Sequence, residues 1–418
     1  MYSLAFSVLF ISFLILTVLV RFWLGSRHIR HILAYRDAVP LQFSEKIPLS
    51  AHQKAADYSI AKTKLGWLML LVNTATLIGF TFMGGLQYLS TMLLGAIGQG
   101  MVEQIALLVA FGVISGVIDL PFDYYKQFVL EEKFGFNKMT FGLFVADMLK
   151  GILLGAVIGL PLIWVILTLM ETAGSLWWLY AWLVWSGFQL LMLVLYPTLI
   201  APLFNKFTPL TDDSLRARIE NLMGRVGFAS QGLFVMDGSK RSAHGNAYFS
   251  GFGNAKRIVF FDTLLSRLEP QEIEAVLAHE LGHFKLKHIV KRIAVMFVVS
   301  LGFLALLGYL KGQTWFYTGL GVEPMLTGGN DAMALILFAL ALPVFTFLLS
   351  PLTSISSRKH EFEADAFASK HTNAHDLVSA LVKLYEDNAS TLTPDPLHSA
   401  FYDSHPPAST RIDRLVAH

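Results

Sequence analysis

Residues 279–310 read HELGHFKLKHIVKRIAVMFVVSLGFLALLGYL. The stretch has two halves. From Val290 onward it supplies about 20 mainly apolar residues, the length a helix needs to cross the hydrocarbon core of a bilayer. Before that, His279-Glu280-Leu281-Gly282-His283 places two histidines four residues apart, and such positions share one helix face. Apolar Ala275, Val276, Leu277 and Leu281 put the motif inside a helix rather than a loop. Two imidazoles aimed at one point suit Zn²⁺, with a third protein ligand and one position for water. A carboxylate at Glu280 can take that water's proton and later deliver it to a leaving amine. This is the His-Glu-x-x-His pattern of metal-assisted peptide hydrolysis, and it predicts a catalytic zinc, one per chain.

Composition supports a lipid setting. Of 418 residues, 54% are hydrophobic and only 15% charged, against about 25% charged in a typical soluble domain. Mean hydropathy is +0.55. A net charge of +2 leaves no electrostatic footprint for nucleic acid. The absence of cysteine excludes disulfides and thiolate ligands, so a metal must be held by His, Asp or Glu.

Seven stretches are long and apolar enough to span: about 2–24, 67–90, 96–118, 151–171, 176–200, 290–311 and 333–353. In lipid, backbone hydrogen bonds must close within each segment, so all seven are expected to be helices. The first is read as a retained anchor, because basic residues follow its apolar core instead of preceding it. Gln99, Glu103 and Gln104 near the start of the third mark an interfacial end or a polar cavity lining. Loops 21–64, 119–150 and 201–289 are rich in Lys and Arg, whereas 91–95, 172–175 and 312–332 have no basic residue. The positive-inside rule then puts the N-terminus outside and the C-terminus in the cytoplasm. The chain divides into spans one to five (1–200), a cytoplasmic segment carrying the motif helix (201–289), spans six and seven (290–353) and a C-terminal cytoplasmic segment (354–418).

Within 201–289, Asp212 to Arg225 reads as an amphipathic helix. Arg257 to Phe261 reads as a strand, with Ala247-Tyr248-Phe249 as its partner and Gly251 and Gly253 in the turn between. Pro270 opens the motif helix, which is expected to run to about His288.

The third ligand must lie elsewhere. Positions 286 and 289 are Leu and Ile, so no further histidine follows at metzincin spacing. His288, five residues beyond His283, points off the metal face and reads as an interfacial residue. Residues 357–368, SRKHEFEADAFA, offer Glu361 and Asp365 on one face, while Glu363 lies about 200° from Glu361 around the helix. Glu361 is the expected ligand, and Asp365 would hydrogen-bond a ligand imidazole and fix its tautomer. Two crossings separate the motif from Glu361, which returns both halves to one membrane face. Gly282 costs about 1 kcal/mol relative to Ala inside a helix, which close approach of another element or chance would explain.

The chain also resembles a known family. HELGH followed by SRxxEFxADxFA, together with Leu120-Pro121-Phe122, residues 131–137 (EEKFGFN), 202–210 (PLFNKFTPL), 238–249 (GSKRSAHGNAYF) and 404–407 (SHPP), is similar to the type I CAAX prenyl proteases, integral membrane zinc metallopeptidases of the gluzincin type. The resemblance covers most of the chain. It implies a mainly α fold: a seven-transmembrane-helix bundle enclosing a large chamber, with a small α+β gluzincin-type zinc protease domain on the cytoplasmic side. It also implies Glu361 as third ligand and Asn246, with Ala247 and Tyr248 beside it, binding substrate backbone by strand addition. His405, which alone reads as a loop histidine, would donate to the oxyanion, with Arg411 in support. The substrate would be a peptide or protein, with a prenylated CAAX terminus or in membrane protein quality control. Short loops, and an end (Arg414 to His418) without a dilysine-type signal, point to a bacterial inner-membrane member, whose substrates need not be prenylated. A transporter or receptor binding an ion without hydrolysis would need ionisable residues in mid-membrane, where these spans have few, and gives Glu280 no task. A quality-control protein acting chiefly by binding would keep its function in a Glu280→Gln variant.

Overall fold

The structure, a computed structural model, describes residues 1–229, 232–250, 257–326 and 328–417. Among these are seven helices long and apolar enough to cross a membrane: Tyr2–Tyr35, Leu49–Phe80, Met101–Glu131, Phe141–Thr172, Gly174–Phe204, His288–Leu310 and Asp331–His371. Each expected span falls within one of them, to a residue, except the second and third; the third, expected from 96, begins only at Met101, after a break at Gly98–Gly100. The second helix stops at Phe80 and a separate short helix, Gly85–Ile97, follows. The expected span 67–90 is therefore corrected. Thr81 has left the helical region and Gly84 takes a φ of 79°, which reverses the chain.

Several of these helices are longer than a bilayer requires. At 1.5 Å per residue the first runs to about 50 Å, against about 30 Å of hydrocarbon, so their ends project beyond the membrane. The apolar windows of the third and fourth are only 6% buried within the protein. Apolar contacts concentrate at one end of the bundle, where Phe10, Leu86, Leu167, Leu307, Phe316 and Leu337 form a core.

A second core belongs to the segments outside the spans. It is built on a four-stranded sheet with order β1-β2-β4-β3, where β1 is Phe207–Pro209, β2 Leu233–Met236, β3 Ala247–Ser250 and β4 Arg257–Phe261. β2 and β4 run parallel; the outer pairs are antiparallel. The expected pairing of β3 with β4 is present, with Ala247 opposite Phe260, and the expected turn at Gly251 and Gly253 lies outside the described residues. Against the sheet pack helix Asp213–Arg225, capped by the Asp212 carboxylate accepting from the Leu215 N–H at 2.9 Å, and the motif helix Pro270–Lys285. Phe43 and Ile47, between the first two spans, insert into the same core and couple it to the membrane portion.

Candidate active site

The motif helix starts with Pro270 at its first position and a capping box in which Glu269 and Glu272 satisfy each other's end of the helix. It ends at Lys285, three residues short of the expected His288. Leu286 and Lys287 form a corner, and Lys287 takes the left-handed conformation (φ 58°) before the sixth span begins at His288. Gly282 faces the helix carrying Glu361. A Cβ there would stand 3.0 Å from Ala364 Cα and 3.2 Å from Ala364 O. The helix-breaking residue is thus explained by close approach of the two helices.

That approach brings His279, His283 and Glu361 together. The Nε2 atoms of the two histidines are 3.2 Å apart. Glu361 Oε2 lies 3.4 Å from His279 Nε2, and Oε1 lies 3.3 Å from His283 Nε2. Donors held at about 2.0–2.2 Å by one tetrahedral ion stand about 3.3–3.5 Å apart, so this triangle fits a single metal. Glu361 Oε2 is buried with no hydrogen-bond partner among the described residues, and a buried carboxylate oxygen left without a hydrogen bond is costly unless a cation meets it. The His, His, carboxylate set could hold a divalent metal.

Asp365 lies one turn beyond Glu361. Its Oδ1 is 2.8 Å from His279 Nδ1, and Arg411 donates to both its oxygens, from Nη2 at 2.6 Å and Nε at 2.9 Å. Accepting from His279 Nδ1–H leaves the Nε2 lone pair free toward the other two donors. Arg411 Nη1 is also 3.9 Å from Glu361 Oε2. With Asp365 and Arg411 both buried, the guanidinium offsets two carboxylates away from water.

Glu280 and His405 line a cavity of about 690 Å³ together with Asn246 and Ala247. Burial pushes the Glu280 carboxyl up from its ordinary value, toward a group able to exchange a proton. His405 Nε2 is 3.4 Å from Glu361 Oε1, and its Nδ1 is 2.9 Å from Ser404 Oγ. β3 is the sheet's outer strand and opens on this cavity through Asn246 and Ala247. The Tyr248 side chain lies beside Phe261 and Met236, and Tyr248 is not among the residues lining this cavity. Sequence reasoning did not single out Tyr58, Lys62, Tyr385 and Asn388, which line the rest of the cavity. Tyr58, Lys62 and Tyr385 sit on helices, and Asn388 just past the end of one, where the sequence carries no motif, and only the packing brings them to the wall.

A multi-pass membrane protein in which the two histidines of a His-Glu-x-x-His helix meet a glutamate from a second helix is a membrane-embedded metallopeptidase. Comparison with known proteins agrees. Residues 28–206 match the CAAX prenyl protease N-terminal region of five membrane helices, and residues 209–418 match peptidase family M48. The chain is 36% identical to CAAX prenyl protease 1 of Saccharomyces cerevisiae over 407 residues, covering 90% of this chain and 88% of that one. It is 33% identical to the Homo sapiens homolog over 425 residues, with the same coverage. The crystal structure of S. mikatae Ste24p superposes with a TM-score of 0.92 at 32% identity, over 99% of both chains. The chain belongs to the CAAX prenyl protease family of M48 metallopeptidases.

Proposed function

We propose that this protein is a zinc endopeptidase that cuts C-terminal peptides of the CAAX type, as the names of its relatives suggest, with its site on the cytoplasmic membrane face. The observation that carries the assignment is the donor triangle, with edges of 3.2–3.4 Å and one orphaned carboxylate oxygen. His279, His283 and Glu361 would hold one zinc. When bound, zinc supplies Lewis acidity to the scissile carbonyl and to attacking water. Glu280 receives the water proton and returns it to the leaving amine. His405 donates from Nε2 to the oxygen on which negative charge develops. Asp365 fixes the His279 tautomer, and Arg411 holds Asp365. The free edge of β3 from Asn246 through Ala247 to Tyr248 pairs with the extended substrate backbone. Catalysis on this reading belongs to segments 201–289 and 354–418, while the spans supply the membrane setting. The basic loops support a cytoplasmic site, and the short loops support a bacterial inner membrane.

The test compares wild type and Glu280→Gln in detergent for bound zinc and for cleavage of a quenched farnesylated CAAX peptide beside its unprenylated twin. The expected result is about one zinc on each protein and cleavage by wild type alone. A preference for the farnesylated peptide supports CAAX processing; equal cleavage supports a broader role such as membrane protein quality control. Absence of zinc, or undiminished cleavage by the variant, overturns the assignment.

A further inference from the structure

His288 and Glu363, which the sequence sets apart from the site, are brought to its rear. The corner at Lys287 turns the chain so that His288 Nδ1 meets His283 Nδ1 at 3.0 Å. His288 is fully buried, and its Nε2 is 2.9 Å from Glu363 Oε2. The ring of His360 stacks on it at 4.1 Å with an interplanar angle of 13°. The corner is strained, because a left-handed backbone at Lys287 crowds its Cβ against the following carbonyl oxygen, and such strain persists where the surrounding structure requires it.

Proton positions follow from the chain of contacts. His283 turns Nε2 toward His279 and Glu361, so its proton sits on Nδ1 and is donated to His288 Nδ1. His288 then carries its own proton on Nε2 and donates it to Glu363. From these contacts we infer that His288 and Glu363 are positioning residues, a two-step relay that fixes the tautomer and ring orientation of His283. They match in function what Asp365 does directly for His279. All three carboxylates involved, Glu361, Glu363 and Asp365, come from one helix. The same three side chains, His288, His360 and Glu363, also bring donor atoms within 4.8 Å of one another, which raises a second metal site as the rival. The near-parallel stack opposes it, since lone pairs in the planes of two parallel rings do not converge on one ion.

The inference rests on His283 as a metal ligand, and its test separates the two. Zinc affinity by chelator competition, the visible spectrum of the cobalt-substituted protein and the melting temperature of the metal-free protein would be measured for wild type, His288→Phe, Glu363→Ala and Glu363→Gln. The expected result is a roughly 10–100-fold loss of zinc affinity and a shifted cobalt spectrum in His288→Phe. Glu363→Ala should show a smaller loss, and Glu363→Gln, whose amide oxygen still accepts, should stay near wild type. Metal-free melting should be unmoved in the Glu363 variants, which carry the test if His288→Phe does not fold. Wild-type affinity and spectrum in both His288→Phe and Glu363→Ala would overturn the relay. So would a wild type holding two zinc ions, one of them lost in these variants. Wild type without zinc would instead defeat the catalytic assignment itself.

Discussion

Gly282 lies against the backbone of Ala364 where the two helices carrying the candidate donors meet: a methyl group on Gly282 would sit 3.0 Å from the Ala364 Cα. The contact is backbone on backbone, and neither helix has a flexible end there to give way.

Gly282→Ala therefore sets two effects against each other. Helix propensity favours alanine by about 1 kcal/mol. The clash pushes the helices apart by a few tenths of an ångström and spoils a donor triangle that tolerates little. The expected outcome is a weaker metal site and reduced peptidase activity despite better helix propensity, read by chelator competition and peptide cleavage. An active variant with undiminished metal affinity would show that the spacing is slack.

Asp365→Asn leaves Arg411 buried beside Glu361 without its main anion. Breaking a buried pair by removing one partner costs about 3–5 kcal/mol. The variant should melt earlier and lose metal affinity by roughly 10–100-fold, because Arg411 donates to both oxygens of Asp365 and an amide turned to leave Arg411 its one oxygen presents a donor, not an acceptor, to His279 Nδ1. Asp365→Asn combined with Arg411→Met should recover part of the stability but not the affinity.

Stability should depend on pH through Glu272. Burial works against its charge, but hydrogen bonds from Lys383 at 2.8 Å, Ser379 at 2.7 Å and the Glu269 N–H outweigh it and hold the carboxyl below its ordinary range. A depressed carboxylate stabilises the fold above its unfolded pKa, about 4.3, and that contribution disappears as pH falls through the folded value. Glu272→Gln should lower the melting temperature at pH 7, by an amount corresponding to about 1–3 kcal/mol. The gap to wild type should close as the pH is lowered below 4. A constant gap would mean that shape rather than charge matters there.

Metal should also act as a structural tie, since its donors come from two helices separated by two membrane crossings. A ligand that binds only the folded state adds about 4 kcal/mol at a thousand times its dissociation constant. Chelation should lower the melting temperature of wild type, zinc should restore it, and His283→Ala should respond to neither.

Much of this was legible in the sequence. Span length and hydropathy report the solvent directly, so seven crossings could be counted; the helical spacing of His279, His283, Glu361 and Asp365 selected one face on each of two helices. The failures share a cause. β1 is only three residues long, and the apolar run Leu233-Phe234-Val235-Met236 of β2 has no periodicity to separate strand from helix. The break at Thr81 and the corner at Lys287 depend on backbone conformations that their side chains do not announce. Missing the corner at Lys287 made His288 look remote, though it is buried against His283. Glu363 was dismissed on angle alone, before the partner beside it was known.

The seventh membrane helix and the helix bearing Glu361 are one element, running from Asp331 to His371 with only a 3₁₀ turn at Phe347–Leu349. From Val344 to Glu361 is about 25 Å of helical rise. The third donor therefore stands at a fixed height on a mast stepped in lipid, while the two histidines reach it from the head of the neighbouring crossing. A bilayer of different thickness is met by tilting its helices, and tilt of this mast relative to its neighbour is movement of Glu361 relative to His283. Membrane composition is then a variable of the catalytic geometry itself.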